Sequence, residues 1–133
     1  MSISPSEKVL VSIEDGIASV TINNPAANTW DLESLPALET VVNELNGMAN
    51  VRALVITGQG EKFFSAGADL NQFASGDPVA AGAMGDAFGA AFETLSDYRG
   101  VSIAAINGYA MGGGLEVASV SYTHLTLPTN RCV

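Results

Sequence analysis

Residues 101–116 read VSIAAINGYAMGGGLE, and the fold turns on this stretch. Val101 to Asn107 is a compact apolar run of strand length, Gly108 to Gly114 supplies a turn, and a helix is predicted to begin near Gly112. A buried strand feeding a glycine-rich turn and then a helix is the building unit of an α/β chain. The same unit stands upstream. Val51 to Thr57 (VRALVIT) enters Gly58-Gln59-Gly60, and Phe63 to Asp69 (FFSAGAD) follows, too rich in glycine and alanine at its end for an ordinary strand.

Working outward, Lys8 to Ile13 and Ile17 to Ile22 are β-branched runs separated by Glu14-Asp15-Gly16, which predicts a hairpin. In the second run Ala18, Val20 and Ile22 share one face. Asn23 to Asn28 is turn chemistry, with Pro25 stopping the strand. Asp31 is placed to cap a helix running to about Asn46, with Pro36 tolerable in its first turn and Gly47 as its stop. Leu35, Leu38, Val42 and Leu45 repeat at helical spacing. A second helix is predicted over Val79 to Tyr98, with Met84, Phe88, Ala91, Phe92 and Leu95 as its stripe. Gly82, Gly85 and Gly89 each weaken it by about 1 kcal/mol relative to Ala, and mark a segment either mobile or packed too closely for side chains. The predicted order is β-β-α-β-α-β-α, with no repeat, heptad or low-complexity linker.

Composition limits the chemistry. The chain has 133 residues, 14 acidic against five basic, a net charge of −9 and 47% hydrophobic residues. That suits one domain or part of one, and is too apolar and charge-poor for a disordered tail. Five cations cannot neutralise a run of phosphates, which argues against nucleic acid and against anionic membrane surfaces. No secretory signal is visible in Met1 to Lys8, and Val101 to Leu115 is too short and glycine-broken to span a bilayer. A soluble, cytoplasmic chain is expected. His124 and Cys132 are the single His and Cys, both in the last ten residues. Serine triads, thiol nucleophiles, disulfides and His/Cys metal sites are therefore excluded from the body of the chain. Carboxylates, hydroxyls and backbone N–H groups are left to carry any chemistry.

Small residues after a buried strand let backbone N–H groups approach a ligand with no Cβ in the way. Ser65 to Asp69 and Met111 to Glu116 are two such places, the second at a predicted helix N-terminus where unpaired N–H groups favour negative charge. Two donors converging on one carbonyl oxygen would make an oxyanion hole. Glu116, about one helical turn after Gly113, could stand beside that carbonyl as a general base or acid. The simpler reading is that the glycines only permit tight packing and Glu116 stabilises the first turn of a helix. Spacing alone favours the simpler one. Nucleotide sites fit worse: Gly58 to Lys62 lacks P-loop spacing, and Gly108 to Gly114 is not G-x-G-x-x-G.

Asn24-Pro25, Ala53 to Gly58 (ALVITG), Phe64 to Asp69 (FSAGAD) and Ile103 to Glu116 (IAAINGYAMGGGLE) together resemble the crotonase (enoyl-CoA hydratase/isomerase) superfamily. The blocks stand in that family's order, from about Val9 to Ala118. The resemblance implies an α/β fold, a crotonase-like spiral of ββα units, here truncated. It implies coenzyme A thioesters as substrates, no metal and no cofactor beyond the CoA of the substrate, and assembly as homotrimers or as dimers of trimers. It places the oxyanion N–H groups at Ala68 and Gly113 with Gly112 beside them. It lines the CoA channel with Ala66, Gly67, Asp69, Leu70 and Asn71, and makes Glu116 the first of two glutamates that activate water.

The chain also departs from the pattern. Many relatives carry a basic residue where this chain has Asn71, and Lys62 is a poor substitute. After Ala118 the helical pattern stops: Ser119 to Val133 reads SVSYTHLTLPTNRCV, and Val120 to Thr129 resembles the translation of a sequencing-library adapter. The expectation is therefore residues 1–118 as the N-terminal portion of a crotonase-fold domain, and 119–133 as a non-native, irregular tail with few contacts. The full-length parent is expected to hydrate 2-enoyl-CoA to 3-hydroxyacyl-CoA. An isomerase or other crotonase-type enzyme is the nearest alternative. The fragment is expected to be inactive.

Overall fold

The computed structural model describes residues 3–69, 78–112, 114 and 123–126. Strand β1 (Val9–Glu14) and strand β2 (Ile17–Ile22) form the expected antiparallel hairpin, Glu14 facing Ile17 and Val9 facing Ile22. Asp15 and Gly16 between them both take positive φ, +53° and +81°. That is the type I′ turn, whose twist matches the flanking strands.

Helix α1 spans Ser34–Asn46 and its flanking Glu33 makes no side-chain cap bond; the expected capping by Asp31 is made from two residues further upstream. Asp31 Oδ1 accepts from the N–H of Glu33 at 2.9 Å and of Ser34 at 2.8 Å, and Ser34 Oγ accepts from Asp31 N–H at 2.9 Å. This reciprocal pair satisfies donors that the helix start leaves unpaired. Leu35, Leu38, Val42 and Leu45 are buried, joined by Val41. At the other end the Arg99 guanidinium collects carbonyls: Nε donates to Asn46 O at 2.8 Å, and Nη2 to Met48 O and to Val51 O, the latter at 3.2 Å. A cation there also complements the negative end of the helix dipole.

Beyond α1 come strand β3 (Ala53–Gly58), strand β4 (Phe63–Ser65) and helix α2 (Pro78–Ser96). Strand β5 (Val101–Ile106), strand β6 (Tyr109–Ala110) and strand β7 (Thr123–Thr126) follow. The large sheet has the order β1-β2-β3-β5-β7, with β2, β3, β5 and β7 parallel. Parallel neighbours need crossovers, which α1 and α2 provide. β4 and β6 pair in parallel as a second, two-stranded sheet. The chain thus repeats strand, strand and helix as β1-β2-α1 and β3-β4-α2, then opens a third unit with β5-β6. The expected α/β class and its ββα unit both hold.

Three expectations change. β4 and β6 were absent from the predicted element order, because strands this short show no period of their own and exist only by pairing with each other. Gly82, Gly85 and Gly89 of α2 have open space where a Cβ would stand, so close packing does not explain them. The tail is not irregular throughout: residues 123–126 form β7, with Thr123 beside Ile103 and Thr126 beside Ile106. Without it β5 would present, among the described residues, an edge of unpaired N–H and C=O groups. The third helix, predicted from near Gly112, falls largely outside the described residues.

The core lies on one face of the large sheet. Ala18, Val20 and Ile22 of β2, Leu54 and Ile56 of β3, and Ala104 and Ile106 of β5 are buried, together with the stripes of α1 and α2. The opposite face is half-exposed, with Ile17, Ala53 and Val101 in one row. The α2 stripe holds as predicted, except that Phe88 is half-buried and meets Phe92 edge-on at 5.3 Å. Among the described residues no helix is long and apolar enough to cross a membrane.

Candidate functional site

β4 carries the first glycine-rich turn, so its placement sets the site. Two buried asparagines hold the loop that leads into it. Asn28 Nδ2 donates to Gln59 O at 3.1 Å and Phe63 O at 3.0 Å. Asn107 Nδ2 donates to Gly60 O at 2.9 Å and Phe63 O at 3.1 Å, while its Oδ1 accepts from Gly58 N–H at 3.0 Å. The sequence presents Asn28 as one more turn residue and Asn107 as the end of a strand. Neither stands out locally, since what they bind lies far along the chain.

From β4 the chain enters the turn 65–69, where the N–H groups of Ala66, Gly67 and Asp69 are all engaged. Ala66 N–H donates to Ala27 O at 2.9 Å, and Gly67 N–H to Ser65 Oγ at 3.1 Å. Trp30 bridges the turn on its other side, its N–H donating to Gly67 O at 2.7 Å and its carbonyl accepting from Asp69 N–H at 2.8 Å. Gly67 has φ +93°, a conformation that a side chain would strain. The exception is Ala68: among the described residues its N–H has no acceptor. Ala66, Ala68 and Asp69 are half-buried, and Gly67 is buried.

The second turn lies directly against the first. Met111 N–H donates to Ser65 O at 3.0 Å, and Gly114 N–H donates back to Met111 O at 2.9 Å. A Cβ on Gly114 would sit 2.2 Å from Ser65 O, so only glycine allows this approach. The tight-packing explanation is thus physically true of Gly114, and the contact it permits is what brings the two turns together. Gly112 is exposed at the rim with φ +53°. Leu70, Asn71, Gly113 and Glu116 lie outside the described residues. The structure therefore joins Ala66, Gly67, Ala68 and Asp69 to the turn at Gly112.

The strongest electrostatic feature near the turn stands behind Trp30. Lys8 Nζ meets Asp31 Oδ2 at 2.5 Å and Glu33 Oε1 at 3.6 Å. Burial pushes the Asp31 carboxyl up, but hydrogen bonds from Lys8 and from the N–H groups of Ser34 and Glu33 outweigh it and hold it below its ordinary value. The hydrogen bond to Asp31 likewise raises Lys8. Lys62 is exposed over the Phe63 ring, 5.7 Å from its centre. A half-buried turn with one N–H free among the described residues, in a setting poor in unpaired cations, suits a neutral oxygen that gains charge better than a phosphate.

The enoyl-CoA hydratase/isomerase family model matches residues 12–123. The chain belongs to the enoyl-CoA hydratase/isomerase family. It is 35% identical to a short-chain-enoyl-CoA hydratase of Clostridium acetobutylicum over 111 residues, which covers 83% of this chain and 42% of that protein. It is 37% identical to a carnitinyl-CoA dehydratase of Salmonella arizonae over 113 residues, 85% of this chain and 43% of that one. Among solved structures it superposes on Pseudomonas aeruginosa DspI with a TM-score of 0.89 and 55% identity, over 91% of this chain and 50% of that chain. An enoyl-CoA hydratase of Bacillus anthracis gives a TM-score of 0.87 and 29% identity, over 90% and 47% of the two chains. This family member thus spans about half the length of the proteins it matches. As a member of this crotonase-type family, it shares its fold with enzymes of acyl-CoA thioesters.

Proposed function

We propose that residues 1–118 are the N-terminal portion of an enoyl-CoA hydratase, a lyase that adds water across the double bond of a 2-enoyl-CoA to give a 3-hydroxyacyl-CoA. The Ala68 N–H, unpaired among the described residues in a turn whose Ala66, Gly67 and Asp69 N–H groups are engaged and which abuts the turn at 111–114, carries this reading. Ala68 and Gly113 N–H groups hold the thioester oxygen and stabilise the negative charge it gains as the enolate forms. Glu116 orients and activates the water whose oxygen attacks C3, and a proton is delivered to C2. Ala66, Gly67, Asp69, Leu70 and Asn71 run beside the CoA arm. The thioester brings its own CoA, so no separate cofactor is called for.

The same hole serves dehydration in reverse, and similarity to a protein named carnitinyl-CoA dehydratase keeps that direction within the proposal. A second carboxylate comes from beyond these residues, since one carboxylate does not fix a water as a facing pair would. Assembly of the full-length protein as homotrimers or dimers of trimers, in the cytoplasm, belongs to the same reading. The test is hydration of crotonyl-CoA. The full-length protein turns over and its Glu116→Gln variant falls by at least about 10²-fold, the lower end for loss of a general acid/base. The 133-residue chain alone shows no turnover. A near-wild-type rate for Glu116→Gln removes Glu116 from the mechanism.

A further inference from the structure

We propose that Trp30 is the positioning residue for the Ala68 N–H, an inference that rests on reading this N–H as a donor to the thioester oxygen. The Ala68 N–H shares a peptide plane with Gly67 C=O, and in a trans peptide the two point in opposite directions. Trp30 N–H holds Gly67 O at 2.7 Å, so the Ala68 N–H is turned away from Trp30. The next peptide is fixed as well, because Asp69 N–H donates to Trp30 O at 2.8 Å. Rotating the Ala68 N–H out of line would break the first bond and strain the second.

The bridge is only as rigid as Trp30 itself. Its side chain is fully buried within the hydrophobic core. Its indole Nε1 has no hydrogen-bond partner among the described residues. The ring therefore serves as an anchor by volume and not by its polar atom. Lys8 holds the neighbouring Asp31 in an ion pair, which fixes the chain immediately after the bridge. A core side chain far from the turn in sequence thus sets the direction of the N–H at Ala68.

The experiment compares two unreactive probes on the 133-residue chain by calorimetry: butyryl-CoA, a thioester, and the S-butyl thioether of CoA, which lacks the carbonyl oxygen. Wild type prefers the thioester. Trp30→Phe, which keeps the anchor, retains that preference, and Trp30→Leu loses at least about fivefold of it, the scale of one hydrogen bond. Leu38→Ala, a core truncation on α1, lowers stability and leaves the preference unchanged. Full preference in folded Trp30→Leu overturns the inference while leaving the donor reading intact, whereas no preference in wild type overturns the donor reading and the inference with it. Should Trp30→Leu not fold, residue-resolved hydrogen exchange on wild type decides. Trp30 and Asp69 amides exchange slowly and Ala68 fast; equal rates at all three show that there is no bridge to do the positioning.

Discussion

Asn28 and Asn107 donate to the same carbonyl oxygen, Phe63 O, at 3.0 and 3.1 Å. One comes from the turn after the first hairpin and the other from the end of β5, yet both carboxamides are buried on the loop that leads into β4. That shared acceptor locks the start of the strand that leads into the turn of Ala68.

Because a carbonyl has two acceptor sites, either asparagine alone still satisfies Phe63 O. Each single change to Ala is expected to cost about 1–3 kcal/mol, as a buried hydrogen-bonding side chain does. The double variant is expected to exceed the sum by at least about 0.5 kcal/mol, since Phe63 O is then left unpaired. Urea unfolding of the four proteins in the cycle measures this. An additive result would mean that the two residues act on separate parts of the loop.

Glycine substitutions separate close approach from conformation. Gly114→Ala is expected to cost more than about 3 kcal/mol or to prevent folding, as its Cβ would lie 2.2 Å from Ser65 O. Gly112→Ala meets open space and only the strain of φ +53°, about 1 kcal/mol. In α2, Gly85→Ala and Gly89→Ala each raise stability by about 0.5–1 kcal/mol, because nothing lies near either and Ala restricts the unfolded chain. Thermal melts rank all four.

The Lys8–Asp31 pair predicts a response to acid. Asp31 titrates below its ordinary value of 3.8 when folded. Its contribution to stability is present above that value and is lost as pH falls through the folded one. Melting temperature is therefore expected to drop on acidification below about pH 4, and the drop is smaller in Asp31→Asn. Lys8 is raised above its ordinary 10.5 by the same contact, so the interaction also fades when pH climbs through the raised value. One ion pair lies behind both limbs and counts once.

Arg99→Lys is expected to behave much like Arg99→Met, losing about 1 kcal/mol or more. Guanidinium Nε and Nη2 reach Asn46 O, Met48 O and Val51 O together. A single ammonium cannot match that fork. Full rescue by lysine in chemical unfolding would show that charge at the end of α1, and not the fork, is what counts.

The sequence by itself determined the hairpin and its turn, the stripes of both helices, the parallel strands at 53–58 and 101–106, and the Asp31 cap. Each of these depends on residues within one or two turns of each other, so periodicity and capping chemistry reveal them. It also marked Ala66, Gly67, Ala68, Asp69 and Gly112 as a place where backbone could meet ligand, though tight packing explained the spacing as well and only the family resemblance favoured the ligand. Tertiary structure decided the rest. β4 and β6 exist only through their pairing with each other, and β7 only through the edge of β5. Trp30 reads as an ordinary apolar residue until its backbone is found bridging Gly67 and Asp69, and Asn28 as a turn former until its carboxamide reaches Phe63 O. The direction of the Ala68 N–H is fixed by bonds between segments far apart along the chain, and a hydrogen bond of that kind leaves no trace in local pattern.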